Sequence, residues 1–331
     1  MSPCMRTDGR SINAETGEKE PADSRSPLVS VVIPAYNYAS YLDEAIESVL
    51  NQDYPNVELI VLDDGSTDDT REVLEKYTGR FYWETQENMG QADTLNKGWR
   101  MSEGEILGRL SADDILLPNA VSTTVGYLSA NPDAILAYCD YELIDEDSSV
   151  LRRVVAPEIS YRDMVVTLLC PPGPGAFFRR EAYLAAGPWN KELNLTLDYE
   201  YWLRLGLQGR FLKIPETLAG FRVHEESQTF AVASEAKSEE YARIISDYYR
   251  RRDVPADVRA AKNEALSNAY IFAARSHLRS RRYAKGLSRL LEGLSLYPRN
   301  LSPRTARLIA HGLLNHVRHR LAQKLKKNGK G

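Results

Sequence analysis

LVSVVIPAYNYASYLDEAIESVLNQDYPNVELIVLDDGSTDDT, Leu28 to Thr70, carries the pattern that decides the fold. It opens on a continuous apolar, β-branched run, as expected for a strand buried on both faces. Leu42, Ala45, Ile46, Val49 and Leu50 then recur at helical spacing, with Ser40 the expected N-cap and Asp43 and Glu44 in the first turn. A second apolar run, Val57 to Leu62, follows and meets Asp63 and Asp64.

The alternation continues outward from that stretch. DTREVLEKY predicts a helix packing Val73, Leu74 and Tyr77, and RFYWETQ a third strand. Thr94 to Met101 reads as a short helix, EILGRLSADD as a fourth strand, Asn119 to Ser129 as a helix and AILAYCDYELID as a fifth strand. Strand alternating with helix implies right-handed crossovers and an open, mostly parallel α/β sheet with helices on both faces.

In such sheets ligands sit beyond the carboxyl ends of the strands. Three strands end in polar clusters, at Tyr36-Asn37, Asp63-Asp64 and Asp113-Asp114, so one rim collects all three. Any one of them could be a turn or a helix cap. Together, two of them doubly acidic, they mark a site. Paired carboxylates repel an anionic ligand unless a cation lies between, and their hard oxygens favour magnesium or manganese over zinc. Neither G-x-G-x-x-G nor G-x-x-x-x-G-K-[ST] occurs, which removes the main support for a dinucleotide fold or a P-loop.

The stretch quoted above resembles the opening of family 2 glycosyltransferases, which have the Rossmann-like GT-A fold. The resemblance continues through ENMGQADTLNKGWRMSEGEILGRLSADDILLP to LDYEYWLRL, and covers roughly Leu28 to Thr229. It implies an inverting transfer of a sugar from a nucleotide-sugar, UDP-linked, to an acceptor hydroxyl, in cell-surface polysaccharide or glycolipid synthesis. By the same resemblance Pro34, Ala35, Tyr36 and Asn37 line the nucleotide pocket, with Pro34 ending the first strand, and Asp64 accepts from the base. Gly90, Gln91 and Asn96 help hold the donor. Asp113 faces the ribose or sugar, and Asp114 holds the metal, manganese or magnesium, on the diphosphate. Many members have a further acid where Ser111 stands, so fewer metal ligands are expected here. Asp198 is the expected base, with Glu200 its rival and Arg204 either paired to an acid or solvated. His224, in GFRVHEESQT, would reach the metal or the diphosphate, or else is a surface residue of a loop. Trp189 and Trp202 are expected in the core or on the acceptor wall.

The 331 residues include 43% hydrophobic ones, enough for a sizeable core. Residues 1–27 read as a flexible tail without the apolar centre of a signal peptide, 28–240 as the catalytic domain and 241–331 as a helical extension. The extension is basic: from Arg251 onward there are 19 Lys/Arg against 4 Asp/Glu, about +15, which leaves about −19 for the rest. Within it AYIFAARSHLRSRRYAKGLSRLLEGLSLYP resembles one tetratricopeptide unit, which must pack on the catalytic domain or a partner to cover its face. TARLIAHGLLNHVRHRLAQKLKK sets Leu308, Leu313, Leu314, Val317, Leu321 and Leu325 among cations, as in an interfacial helix on anionic lipid or a soluble packing helix. Nucleic-acid binding has no supporting motif. Cys4, Cys139 and Cys170 are widely spaced, so reduced thiols are expected. No apolar run reaches the ~18–20 residues that cross a bilayer, and a cytoplasmic, peripherally attached protein is expected. Two other functions remain open at this level: a nucleotidyltransferase acting on sugar phosphates, and a non-catalytic nucleotide-sugar-binding or scaffold protein. The acceptor is expected to be a glycan or lipid-linked.

Overall fold

The computed structural model describes residues 26–193, 196–224 and 234–313. The first strand is β1 (Val29–Ala35), followed by α1 (Ala39–Leu50), β2 (Val57–Asp63), α2 (Thr70–Glu75), β3 (Tyr82–Thr85), α3 (Gln91–Met101) and β4 (Ile106–Arg109). These four strands form parallel ladders in the order β3-β2-β1-β4. Alternate residues of β1 serve opposite faces. Val29, Val31, Ile33 and Ala35 pack with Leu42, Ala45, Ile46 and Val49 of α1, whereas Val32 packs with Leu95 and Trp99 of α3. Each such Val, Leu or Ile contributes roughly 1.5–3 kcal/mol on full burial. Gly98 lets α3 approach the sheet, because a Cβ there would collide with the Val32 side chain.

Beyond β4 the sheet becomes mixed. β5 (Ile115–Leu116) and α4 (Ala120–Ala130) lead to β6 (Ala134–Ile144) and β7 (Val150–Val154), then α5 (Tyr161–Thr167), β8 (Phe177–Arg179), α6 (Arg180–Ala186), α7 (Leu197–Leu205) and β9 (Arg210–Arg222). The expected fifth strand, β6, does not extend the parallel series: β8 inserts antiparallel between β4 and β6. β6 runs parallel to β9, and β5 and β7 pair antiparallel with β9 and β6. The β6–β7 connection is a tight turn in which Asp145 N–H donates to the Ser149 carbonyl, so β7 can only reverse. β9 is the strand that brings the chain back to the rim.

Two local expectations are corrected. Pro34 does not end β1; it lies in the ladder opposite Leu62, and the strand continues to Ala35. Val32 faces β4, where its carbonyl accepts from Leu110 N–H, so Pro34 faces the same way, beyond the last paired residue Arg109. Its missing N–H costs no ladder bond there. Ser40 is not the N-cap of α1 either. The helix begins at Ala39, whose N–H is taken by Asp68 Oδ2 at 3.0 Å. Asp43 and Glu44 lie beyond the first turn, Asp43 accepting from Tyr77 Oη.

The extension comprises α8 (Glu235–Tyr248), α9 (Ala256–Ala260), α10 (Lys262–Arg279) and α11 (Tyr283–Leu296), with a further helix over 303–313. α10 and α11 form the expected antiparallel pair, in which Gly286 sits against Leu278 and Gly293 against the Ser267 carbonyl. The pair covers itself on the α/β part. The boundary expected at 240/241 falls inside α8, and one apolar cluster runs from Trp99 through Tyr199 and Tyr201 to Ile245, Ala265 and Ala269. Cys139 and Cys170 are free thiols. The N-terminal tail including Cys4, most of the segment after His224, and the stretch holding Leu314, Val317, Leu321 and Leu325 lie outside the described residues. Among the described residues no helix is long and apolar enough to cross a membrane.

Candidate functional site

The three polar clusters do share the rim. After β1, Asn37 adopts φ +58°, a left-handed conformation that Asn tolerates better than most residues. That conformation turns its amide oxygen onto Thr67 N–H at 2.7 Å, while its own N–H donates to Ser66 Oγ. Asn37 therefore clasps the β1 loop to the β2 loop. Tyr36 beside it keeps 46% of its surface exposed. Ala35 is buried, and its carbonyl accepts from Asp64 N–H at 2.8 Å.

Asp64 is buried and largely committed. Its oxygens accept from Met89 N–H, Gly90 N–H and Gln86 Nε2 at 2.8–2.9 Å. Of the roughly four acceptor positions on a carboxylate, about one is left for a base. Asp64 thus shapes the 86–90 loop, in which Gly90 (φ +86°) starts α3 and Gln91 is exposed in its first turn. Asp63 Oδ1 holds Ser66 N–H, and its Oδ2 is buried without a partner among the described residues. Asn96, expected to help hold the donor, is committed to the backbone of another segment. It is 3% exposed and spans the backbone of Trp189, accepting from its N–H at 2.7 Å and donating to its carbonyl at 3.0 Å.

The two acids of the pair differ in accessibility. Asp114, expected on the exposed rim and on the metal, is 3% exposed and accepts from Arg222 N–H at 3.0 Å. Burial, reinforced by the neighbouring Asp113 charge, pushes its carboxyl up to about 8. Asp113 is the more accessible partner, and its Oδ2 receives His224 Nε2 at 3.0 Å. His224 is itself buried, packed on the rings of Tyr38 and Tyr41. Arg222 sets this geometry. Its side chain is fully buried over Tyr41 and donates to the carbonyls of Asp113 and Asp145, to Ser148 Oγ and to Glu44. Sequence reasoning passed over Arg222, although the two-residue period of a strand places it on the same side as His224.

On the other side of the site Asp198 lies in the first turn of α7, partly exposed, with its Oδ1 on Tyr199 N–H at 2.7 Å. The rival Glu200 is committed: both its oxygens bind the Arg204 guanidinium, at 2.7 and 2.9 Å. Arg204 therefore pairs with an acid, and it also holds the carbonyls of Ala186 and Pro188. Trp189 and Trp202 are buried in the core. Cys170 and the phenol of Tyr241 neighbour Asp198; burial first, and that charge second, hold the Cys170 thiol well above its ordinary range. Arg109, a second residue missed from sequence, lies over the Trp189 ring. Its charge reaches Asp114 on one side and Cys170 on the other. The end of β4 thus joins the acid pair to the Asp198 side.

Asp113 and His224 are the residues that could hold a divalent cation. Asp113 oxygen and His224 nitrogen stand about as far apart as adjacent ligands of an ion with ~2.1 Å bonds. No group of three or more His, Cys, Asp or Glu gathers among the described residues. Magnesium is usually held by one or two carboxylates with the remainder from phosphate and water, and Asp113 is the accessible carboxylate here.

Residues 30–184 match the family model described as glycosyl transferase family 2. An uncharacterized glycosyltransferase of Rickettsia typhi is 31% identical over 258 residues, covering 75% of this chain and 80% of that protein. The chondroitin synthase of Escherichia coli is 27% identical over 230 residues, 69% of this chain but 33% of that protein. Among solved structures, S. aureus TarS 1–349 in complex with UDP-GlcNAc superposes with a TM-score of 0.65 at 18% identity, covering 85% of this chain and 84% of that one. The mannosyltransferase PcManGT of Pyrobaculum calidifontis, in complex with GDP-Man and Mn2+, gives 0.56 at 18% identity, over 90% and 84%. The chain belongs to glycosyl transferase family 2, and its α/β part has the GT-A fold.

Proposed function

We propose that this family 2 member transfers a sugar from a UDP-linked donor to a glycan or lipid-linked acceptor hydroxyl, with inversion and with a divalent metal. The observation that carries the reading is the placement of Asp113 with His224 on one side of Arg109 and of Asp198, which makes no ion pair among the described residues, on the other. Tyr36, half exposed at the end of β1, offers a ring for the base, and the Pro34–Asn37 loop the wall beside it. Gly90 and Gln91, at the N-terminal end of α3, border the donor.

Asp113 and His224 would hold the metal, which supplies charge neutralisation for the departing diphosphate. Asp114, buried and accepting from Arg222 N–H, would stay behind Asp113 rather than serve as a ligand. Asp198 takes the proton of the attacking hydroxyl, because among the described residues only its Oδ1 is engaged, whereas both oxygens of Glu200 are held by Arg204. The acceptor belongs to cell-surface polysaccharide or glycolipid, and the cationic sequence after Arg304 holds the protein at the anionic inner face of a membrane. A screen of nucleotide-sugars with manganese tests the reading. The expected result is release of a nucleoside diphosphate on turnover; release of inorganic diphosphate, or binding without turnover in the presence of acceptor extracts, contradicts it.

A further inference from the structure

We infer that Glu240, on the first helix of the extension, is a positioning residue for Asp198, which makes the extension part of the transfer machinery. The inference rests on the assignment of Asp198 as base. Thr196 occupies the N-cap position of α7, two residues before Asp198, yet its side chain makes no cap hydrogen bond. Instead Glu240 Oε2 accepts from both Thr196 Oγ1 at 2.9 Å and Thr196 N–H at 3.1 Å. Both residues are only 2% exposed. A carboxylate so buried is costly unless its donors stay in place, so the contact fixes Thr196 firmly.

The rest of α8 explains why it can act as a strut. Ser238 meets Ser276 at 2.8 Å, and Glu239 meets buried His277 at 2.7 Å and Arg289 at 2.9 Å. His277 Nδ1 accepts from Arg282, which can only donate, so Nε2 carries the proton given to Glu239. Tyr241 then packs between Tyr199 of α7 and Phe272 of α10, with ring centroids 5.1 and 4.5 Å apart. Four consecutive residues thus grip α10 and α11 on one side and α7 on the other. Releasing Glu240 would free the Thr196 hydroxyl to turn onto the helix and let the first turn, with Asp198, move. Misplacing a catalytic group by about 1 Å costs on the order of 10²-fold in rate.

The test compares E240A, E240Q, T196V and D198N in the full chain, measuring kcat, donor KM and folding by circular dichroism. E240A should lower kcat ~10–100-fold with donor KM nearly unchanged, since the donor side does not touch Glu240. E240Q should recover most of the loss, because its amide oxygen accepts the same two bonds. T196V, which removes only the hydroxyl, should fall between, and it decides the matter if E240A fails to fold. Wild-type kcat in E240A or T196V alongside a dead D198N would overturn the inference alone, as would E240Q no better than E240A. An active D198N would overturn the base assignment instead.

Discussion

His224 Nε2 lies 3.0 Å from Asp113 Oδ2, which joins the residue just past the end of β9 to the acid that follows β4. The contact is made by a residue 111 positions away in sequence. The proposed metal site rests on this pair, and the first prediction tests it.

D113N and H224A should each reduce transfer roughly 100-fold or more and raise the manganese concentration needed for half-maximal rate. D114N should be far milder, because burial already favours the neutral form of Asp114, which Asn imitates. Rates at saturating and limiting manganese decide between them. A D114N defect as deep as that of D113N would return the metal to Asp114.

Asp114 also makes stability depend on pH. Its folded value, about 8, exceeds the ordinary 3.8, so the native state holds the proton across that window and the unfolded state does not. Stability should therefore fall as pH rises from about 3.8 to about 8. D114N cannot titrate and should lack this component. Thermal melts across the window, wild type minus D114N, should slope downward with pH; parallel curves would contradict it.

D198N should bind donor normally and lose transfer by roughly 10²–10⁴-fold, the usual contribution of a general base. E200Q should keep most activity but melt earlier, since Arg204 loses its charged partner. Binding by calorimetry and turnover by nucleoside diphosphate release separate the two. The reverse pattern would make Glu200 the base.

N96A should destabilise the fold by about 2 kcal/mol or more, because the Trp189 N–H and carbonyl are left buried without partners. Donor affinity in the folded fraction should be unchanged. A selective loss of donor binding, with an unaltered denaturation midpoint, would restore the donor role expected from sequence.

Truncation after Pro303 should leave hydrolysis of a soluble donor intact and reduce sedimentation with anionic vesicles. Each cation near such a surface contributes about 1 kcal/mol, so added salt should also release the full chain. Equal sedimentation of the two forms would assign the segment to packing.

Much of the site's location was legible in the sequence, and its division of labour was not. Tyr36-Asn37, Asp63-Asp64 and Asp113-Asp114 follow apolar runs, so the topology alone collects them on one rim. Which member of each pair meets a ligand depends on what else arrives there. Gln86, Met89 and Gly90 occupy most of the acceptor positions of Asp64, and Arg222 turns Asp114 inward. Asn96 had the right neighbours for a donor contact and is spent on Trp189, 93 residues away.

By itself the sequence determined the alternation of strand and helix, the parallel half of the sheet, the polar rim and the helical pair of the extension. These depend on periodicity and on strand ends, which are properties of neighbouring residues. Only the tertiary structure decided that β8 enters antiparallel, that Asp113 rather than Asp114 meets His224, and that α8 reaches the helix of Asp198 through Glu240. Burial and hydrogen-bond commitment are set by groups arriving from distant segments, and the free energy of a charged side chain is governed by those groups more than by its own flanking residues.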